Sequence, residues 1–168
     1  WEWEVNLNTW AVVNCPKTFG AGMIERGHGS IVNITSNSAL VPEASSHVAN
    51  YGGTKGYVMS LSKALAYEWG PKGVRINCVA PGWIVPWEKD HAGEGSFWKK
   101  YGYDLFGTPE AMAKAAAEGE ALFNVGNQPI RRIGRPEDIA WIAMFLASER
   151  AAHITGQLVS VSGGSFMF

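Results

Sequence analysis

Tyr51 and Lys55 stand four positions apart. On a helix that step puts two side chains on one face, one turn apart. A phenol loses its proton only near pH ~10, too high for proton transfer at neutral pH. An ammonium beside it favours the phenolate and lowers that value by about 1–3 units. The pair can then give and take a proton at a reacting oxygen. Taken alone it is equally a surface tyrosine beside a solvated lysine. Ser36 adds a third group. It closes the β-branched run Ser30-Ile31-Val32-Asn33-Ile34-Thr35, and a hydroxyl there can donate to a carbonyl or a developing alkoxide. An isolated serine at that place would simply form a turn.

These side chains need a strand and a helix to hold them. Residues 1–26 read as largely helical, with Val5, Trp10, Val13 and Phe19 at roughly helical spacing and Pro16 interrupting it. Gly27-His28-Gly29 ends that helix. Residues 30–36 form a short buried strand, and 37–50 a loop of small residues. A helix follows over 51–69, with Val58, Leu61, Leu65 and Trp69 on one face. Gly70-Pro71-Lys72-Gly73 stops it. Residues 74–80 make a second strand, closed by Pro81-Gly82.

The stretch 83–130 is the least regular and contains an Ala-rich helix, with Thr108 as N-cap and Pro109 at its first position. Pro136 opens a last helix with Ile139, Ile142 and Leu146 inward. Residues 157–162 are a final strand, ended by Gly163-Gly164. Strands separated by helices need crossover connections, so the fold class is α/β, a parallel sheet with helices on its faces. Ser36 then lies at the carboxyl end of a strand, where open sheets of this kind bind ligands. Three strands make a thin sheet with an exposed edge. Half of a doubly wound fold fits that count better than a whole one.

The 168 residues are 46% hydrophobic and 17% charged, which excludes general disorder and fits a single domain over 1–168. The net charge of −1 leaves no basic field for a phosphate backbone, so nucleic acid is excluded as a partner. Cys15 and Cys78 are the two cysteines, and no Cys-x-x-Cys or paired-His spacing occurs. A disulfide scaffold or a zinc site is not expected, and free thiols fit the cytoplasm. No uninterrupted apolar run is long enough to span a membrane. Trp1-Glu2-Trp3-Glu4-Val5, with no initiator methionine and no signal peptide, reads as the middle of a longer chain.

Six motifs occur in order: Asn6 within Val-Asn-Leu; Ile31-Val-Asn-Ile-Thr-Ser36; Tyr51-x-x-x-Lys55; Arg75-Ile-Asn-Cys-Val-Ala-Pro81-Gly82; Arg135-Pro-Glu-Asp-Ile-Ala140; and Thr155-Gly-Gln157 followed by Gly163-Gly164. Together they cover nearly the whole chain, which resembles the short-chain dehydrogenases/reductases, a Rossmann-like doubly wound fold with a helical substrate lid. The resemblance implies hydride transfer between NAD or NADP and a secondary alcohol or ketone. It implies that Tyr51 is the general acid and base, that Lys55 lowers its pKa and holds the nicotinamide ribose, and that Ser36 polarises the carbonyl. Asn6 would anchor a water in a proton relay behind Lys55. Pro81 and Gly82 would border the nicotinamide, and the backbone of Ile84 would hold its carboxamide. The Tyr–Lys spacing argues against the divergent enoyl reductases of the family, which space the pair wider.

Departures from the family pattern are specific. The strand, Gly-rich turn and helix that cradle the pyrophosphate do not precede Trp1, so the chain reads as the C-terminal portion of such a domain. The family's serine usually lies 13 residues before its tyrosine. That count falls on Ser38, while the strand end falls on Ser36. Loops absorb insertions more easily than strands shift register, which favours Ser36 and keeps Ser38 as the alternative. Asn6 lies slightly further from Ser36 than usual, leaving Asn8 as its alternative. Pro86 stands where a threonine often touches the carboxamide, and Ser162 replaces a usual aspartate.

The family uses 83–130 as its lid. Trp83, Trp87, Phe97, Trp98, Tyr101, Tyr103 and Phe106 are seven aromatics within 24 residues. They either line an apolar pocket for a bulky or cyclic substrate or pack the lid itself. His47 lies in the loop that borders substrate in the family, where a solvated histidine is the simpler reading. Members are commonly tetramers, so a homo-oligomer, tetramer or dimer, is expected, with Phe166-Met167-Phe168 suited to burial in it. Two other readings stay open: a truncated, non-catalytic subunit that only assembles, and a sugar-nucleotide epimerase, which shares the Tyr–Lys pair. The Asn–Ser–Tyr–Lys set favours the first reading over assembly alone, and the Gly-Gly ending favours it over the epimerase.

Overall fold

The helical period at the start of the chain runs straight through its proline. In this computed structural model, which describes residues 1–41, 49–118 and 128–167, α1 (Glu2–Val5), a π-helical turn (Asn6–Trp10) and α2 (Ala11–Glu25) follow without a break. Pro16 lies inside α2 and lacks only its own N–H, so one rung of the ladder is lost while the flanking rungs hold. The expected interruption is absent, and the irregularity falls earlier, at the π-helical turn. After α2 come β1 (Gly29–Ile34), α3 (Ala49–Trp69), β2 (Val74–Pro81), α4 (Tyr103–Phe106), α5 (Pro109–Ala117), α6 (Pro136–Ala147) and β3 (Leu158–Val161).

The sheet order is β1-β2-β3. β1 and β2 are parallel, in register from Gly29↔Val74 to Ile34↔Val79. β3 runs the same way: Gly156 N–H donates to Ile76 O at 2.7 Å and Cys78 N–H to Gln157 O at 2.8 Å. β2 is central and its Val74, Ile76 and Val79 are fully buried. A parallel strand covered on both faces reads as such an apolar run. The amino-terminal half of β2 also carries two polar anchors, Arg75 and Asn77, two positions apart and so on one face. Arg75 Nη1 donates to Leu146 O at 2.8 Å and Nη2 to Ser148 O at 3.0 Å. Asn77 Nδ2 donates to Ile154 O at 2.9 Å, and its Oδ1 accepts from Gln157 N–H at 3.0 Å. Carbonyls at the end of α6 that have no partner within the helix are thus satisfied by the strand beside them.

Packing divides the chain into two compact units, one of Trp1–Pro81 with Trp141–Ser160, the other of Gly82–Ala140 with Val161–Phe168. In the first, Ala66, Val74 and Ile76 form a core joined by Met23, Ile24, Ile31, Leu65 and Trp69. Gly20 lets α2 and α3 approach closely, since a Cβ there would fall 2.4 Å from the indole of Trp69. In the second, Val85, Ala92, Tyr103, Met112 and Ile133 form a separate core, with Trp98 and Phe106 packed on it. Each fully buried aliphatic side chain contributes roughly 1.5–3 kcal/mol.

The entry to α6 is fixed by charge. Asp138 accepts from Arg135 N–H at 2.8 Å and from both Nη atoms of Arg132, at 2.7 and 2.8 Å. A carboxylate in the first turn also faces the positive end of the helix dipole. The Arg132 hydrogen bonds, against a smaller opposing effect of burial, pull the Asp138 carboxyl down from 3.8 to about 2. A lowered folded-state pKa means the unfolded chain binds the proton more tightly. The stabilisation is therefore present above pH 3.8 and lost as pH falls toward about 2. With 28% of the side chain exposed, screening leaves about 1–2 kcal/mol. Asp138→Asn should lose that amount in urea unfolding at pH 7, and the gap between variant and parent should close toward pH ~2. A gap independent of pH would show that the charge is not the cause.

Candidate active site

α3 begins at Ala49, so Tyr51 and Lys55 fall in its first two turns, both half-buried. The Lys55 ammonium lies 5.6 Å from the centroid of the Tyr51 ring, within range of the ring's negative face. Nζ also donates to Ile34 O at 3.1 Å, the carbonyl of the last residue of β1. Burial holds the Lys55 ammonium below its ordinary 10.5. Nζ has three N–H donors, and the bond to Ile34 occupies one.

The chain leaves β1 through Thr35, whose Oγ1 donates to Val79 O at 3.2 Å and whose N–H donates to the same carbonyl at 2.8 Å. Ser36 then caps a 3₁₀ turn, Asn37–Ala39. Its Oγ accepts from Ser38 N–H and donates to Ser38 Oγ, both at 3.2 Å. The two candidate serines are therefore one hydrogen-bonded pair. The turn packs against α3, and Gly52 makes that approach possible: a Cβ there would stand 2.6 Å from Ser38 O. The residue beside Tyr51 must be small for the serine turn to reach this helix.

Both candidate asparagines lie in the π-helical turn, Asn6–Trp10. Such turns inside helices often mark functional positions. Asn6 is exposed and Asn8 half-buried. Asn8 Nδ2 donates to Thr54 Oγ1 at 3.3 Å, and Thr54 Oγ1 donates to Tyr51 O at 2.8 Å. Thr54 is 5% exposed and directly precedes Lys55. The structure thus brings the Ser36–Ser38 turn, Tyr51, Lys55 and Asn8 to the amino-terminal half of α3, and leaves Asn6 facing outward.

Pro81 ends β2, and the second unit begins at Gly82. Gly82 N–H donates to Val161 O at 3.0 Å. Ile84 pairs with Gly134 in a parallel bridge, whose hydrogen bonds are Gly134 N–H to Trp83 O at 2.9 Å and Val85 N–H to Gly134 O at 3.1 Å. The N–H and C=O of Ile84 itself take no part in that bridge. Pro86 O accepts from Tyr103 Oη at 2.8 Å. Trp98 lies 5.9 Å from both Tyr103 and Phe106, ring to ring, so these three aromatics pack the unit's own interior. Phe97 and Tyr101 remain more than half exposed. Arg135 stacks 4.6 Å over Trp87.

His47 lies outside the described residues, and so does the end of the Ala-rich stretch. The described part of that helix is capped as expected, Ala111 N–H donating to Thr108 Oγ1 at 3.3 Å. Cys15 and Cys78 are both free. No group of three metal-ligating side chains occurs among the described residues, and no described helix is long and apolar enough to cross a membrane. Sequence reasoning missed Gly52, Thr54 and Asn37. The first two occupy unremarkable places between Tyr51 and Lys55, and only their contacts reveal them.

Comparison with known proteins agrees with this architecture. A family model described as short chain dehydrogenase matches residues 1–89, and one described as enoyl-(acyl carrier protein) reductase matches 105–165. The chain is 32% identical over 164 residues to galactitol 2-dehydrogenase (L-tagatose-forming) of Cereibacter sphaeroides, covering 98% of this chain and 56% of that one. A 3-oxoacyl-acyl-carrier-protein reductase from Brucella melitensis, solved with bound NAD, superposes with a TM-score of 0.71 at 30% identity, covering 98% of this chain and 51% of that one. A gluconate 5-dehydrogenase from Burkholderia cenocepacia, solved with NADP and tartrate, also gives 0.71 at 26% identity, over 95% of this chain and 53% of that one. The chain thus spans about half the length of the relatives it matches, while the match reaches almost every residue of its own. By the model that takes in its Ser36 turn, Tyr51 and Lys55, the chain belongs to the short-chain dehydrogenase/reductase family.

Proposed function

We propose that the protein to which this chain belongs transfers hydride between NAD or NADP and a secondary alcohol or ketone. The observation that carries the reading is the Lys55 ammonium, held by Ile34 O at 3.1 Å and set 5.6 Å from the Tyr51 ring. Nearness of that cation favours the phenolate of Tyr51 over the phenol. In the reducing direction Tyr51 gives its proton to the carbonyl oxygen, and Lys55 stabilises the phenolate left behind. In the oxidising direction the phenolate takes the hydroxyl proton. Ser36 donates its hydroxyl hydrogen to the same oxygen. It can do so by turning that hydrogen away from Ser38 while its lone pair still caps Ser38 N–H, and Ser38 is the alternative donor. The nicotinamide supplies or accepts the hydride when bound.

The residues present fit the nicotinamide end of the cofactor. Lys55 keeps donors beyond the one on Ile34 O, suited to ribose hydroxyls. The Ile84 backbone groups, unused by the bridge to Gly134, suit a carboxamide, beside Pro81 and Gly82. The relay asparagine is Asn6 by its motif. The exposure of Asn6 and the bond from Asn8 to Thr54 favour Asn8. Residues 83–130 serve as the lid, and the exposed aromatic surface of Trp83, Phe97 and Tyr101 fits a bulky or cyclic substrate. Exposed Trp1, Trp3, Leu7 and Trp10 within the first ten residues favour assembly into a homo-oligomer.

Three outcomes are expected in a reduced-nicotinamide absorbance assay. Tyr51→Phe should cut turnover by about 100-fold or more while cofactor binding persists. Turnover within a few fold of the parent would remove Tyr51 as the proton donor. Gly52→Ala should push the serine turn off α3 and lower kcat by roughly 10–100-fold with little change in cofactor KM, and an unchanged kcat would separate the turn from the chemistry. Because burial lowers the Lys55 pKa, the cation is lost on the alkaline side at a pH below 10.5. Lys55→Arg, which stays charged, should move the alkaline fall in rate upward. A fall at the same pH would assign it to another group.

A further inference from the structure

We propose that Asn37 is a positioning residue for Ser36, a buried amide that pins the serine turn to β3. This rests on the reading of Ser36 as the hydrogen-bond donor to the substrate oxygen. Asn37 is 2% exposed, although amides are mostly surface residues and a turn asparagine usually bonds its own backbone. Here the side chain goes inward. Its Oδ1 accepts from Ser160 Oγ at 3.1 Å, on β3. Sheet order is β1-β2-β3, so the turn after β1 reaches past β2 to its far neighbour. Two strand spacings are about 10 Å, and one side chain and one hydroxyl close that gap. The backbone of the same residue closes the turn, its carbonyl accepting from Leu40 N–H at 2.9 Å and Val41 N–H at 3.1 Å. Ser36 and Ser38 flank it, bonded to one another. Asn37 is therefore the point at which this hydroxyl pair is tied to the sheet over its carboxyl edge.

The bond carries a cost that the fold does not need. Asn37 Nδ2 is buried with no hydrogen-bond partner among the described residues, and an orphaned donor destabilises. A leucine of similar size would fill the same space without it. Natural proteins keep such local violations chiefly where function requires them. The function served is the placement of a hydroxyl, for which an error of ~1 Å can cost up to about 100-fold in rate.

The test uses the full-length protein to which this chain belongs, with Asn37→Leu and Ser160→Ala, each made alone and each combined with Ser36→Ala. Asn37→Leu should keep or raise the melting temperature, since the orphaned donor is gone. Both single variants should lower kcat by about 10-fold with cofactor KM unchanged. In the Ser36→Ala background neither should lower kcat further, because a residue acting only through Ser36 has nothing left to position. Hydrogen exchange of the amides of residues 38–41 should quicken in both single variants while α3 stays as protected as in the parent. Unchanged kcat, additive losses with Ser36→Ala, or unchanged exchange in the turn would each overturn the proposal. A full-length parent with no nicotinamide-dependent turnover would refute the hydride-transfer reading by itself, and the exchange of the turn would still decide whether Asn37 holds it.

Discussion

A lysine ammonium held between the last carbonyl of a strand and the face of a phenol ties that strand to the helix carrying both side chains. Lys55 reaches Ile34 O and lies over Tyr51, so α3 cannot slide along β1 without breaking the contact. The position is expensive for a cation, and burial lowers the Lys55 pKa accordingly. The carbonyl dipole and the π face offset part of that penalty. The same approach forces the segment after β1 to lie against the first turn of α3. That segment carries Ser36 and Ser38, and the lack of a side chain at Gly52 gives their turn room. Cation, phenol and hydroxyls are thus brought to one end of the sheet by a single packing relation between a strand and a helix.

Much of that relation is legible in the sequence because it is periodic. The β-branched runs at 30–36 and 74–80 correspond to Gly29–Ile34 and Val74–Pro81, and 51–69 is helical, although the buried stripe is Thr54, Val58, Ser62 and Ala66 while Leu61, Leu65 and Trp69 of the expected face are half-buried. A four-residue step fixes Tyr51 and Lys55 to one face whatever surrounds them. What sequence leaves hidden depends on contacts between distant segments. The π-helical turn at Asn6–Trp10 has no signature in residue type, and it decides which of two asparagines turns inward. The division of the described chain into two cores is equally silent, because each is built from ordinary apolar residues. The lid aromatics show the limit well. Their number suggested a pocket or a packed interior, and only geometry shows that Trp98, Tyr103 and Phe106 pack together while Phe97 and Tyr101 keep much of their surface exposed.

The two ends of the sheet use polar side chains in opposite ways. Around the amino-terminal half of β2, Arg75 and Asn77 meet carbonyls left over at the end of α6 and in the turn before β3. Their bonds are satisfied, although the partners lie more than 70 residues along the chain. Past the carboxyl ends, Asn37 is buried with one half of its amide unanswered, and Lys55 is half-buried with its ammonium partly desolvated beside Ile34 O. Satisfied polar groups make one end a fixed base. A desolvated cation and an unsatisfied amide at the other end can be tolerated because that base, and the apolar β2 between, hold the sheet together without them. Reactive groups can remain imperfectly solvated only where something else has already set the fold, and in this chain that division runs along the length of one strand.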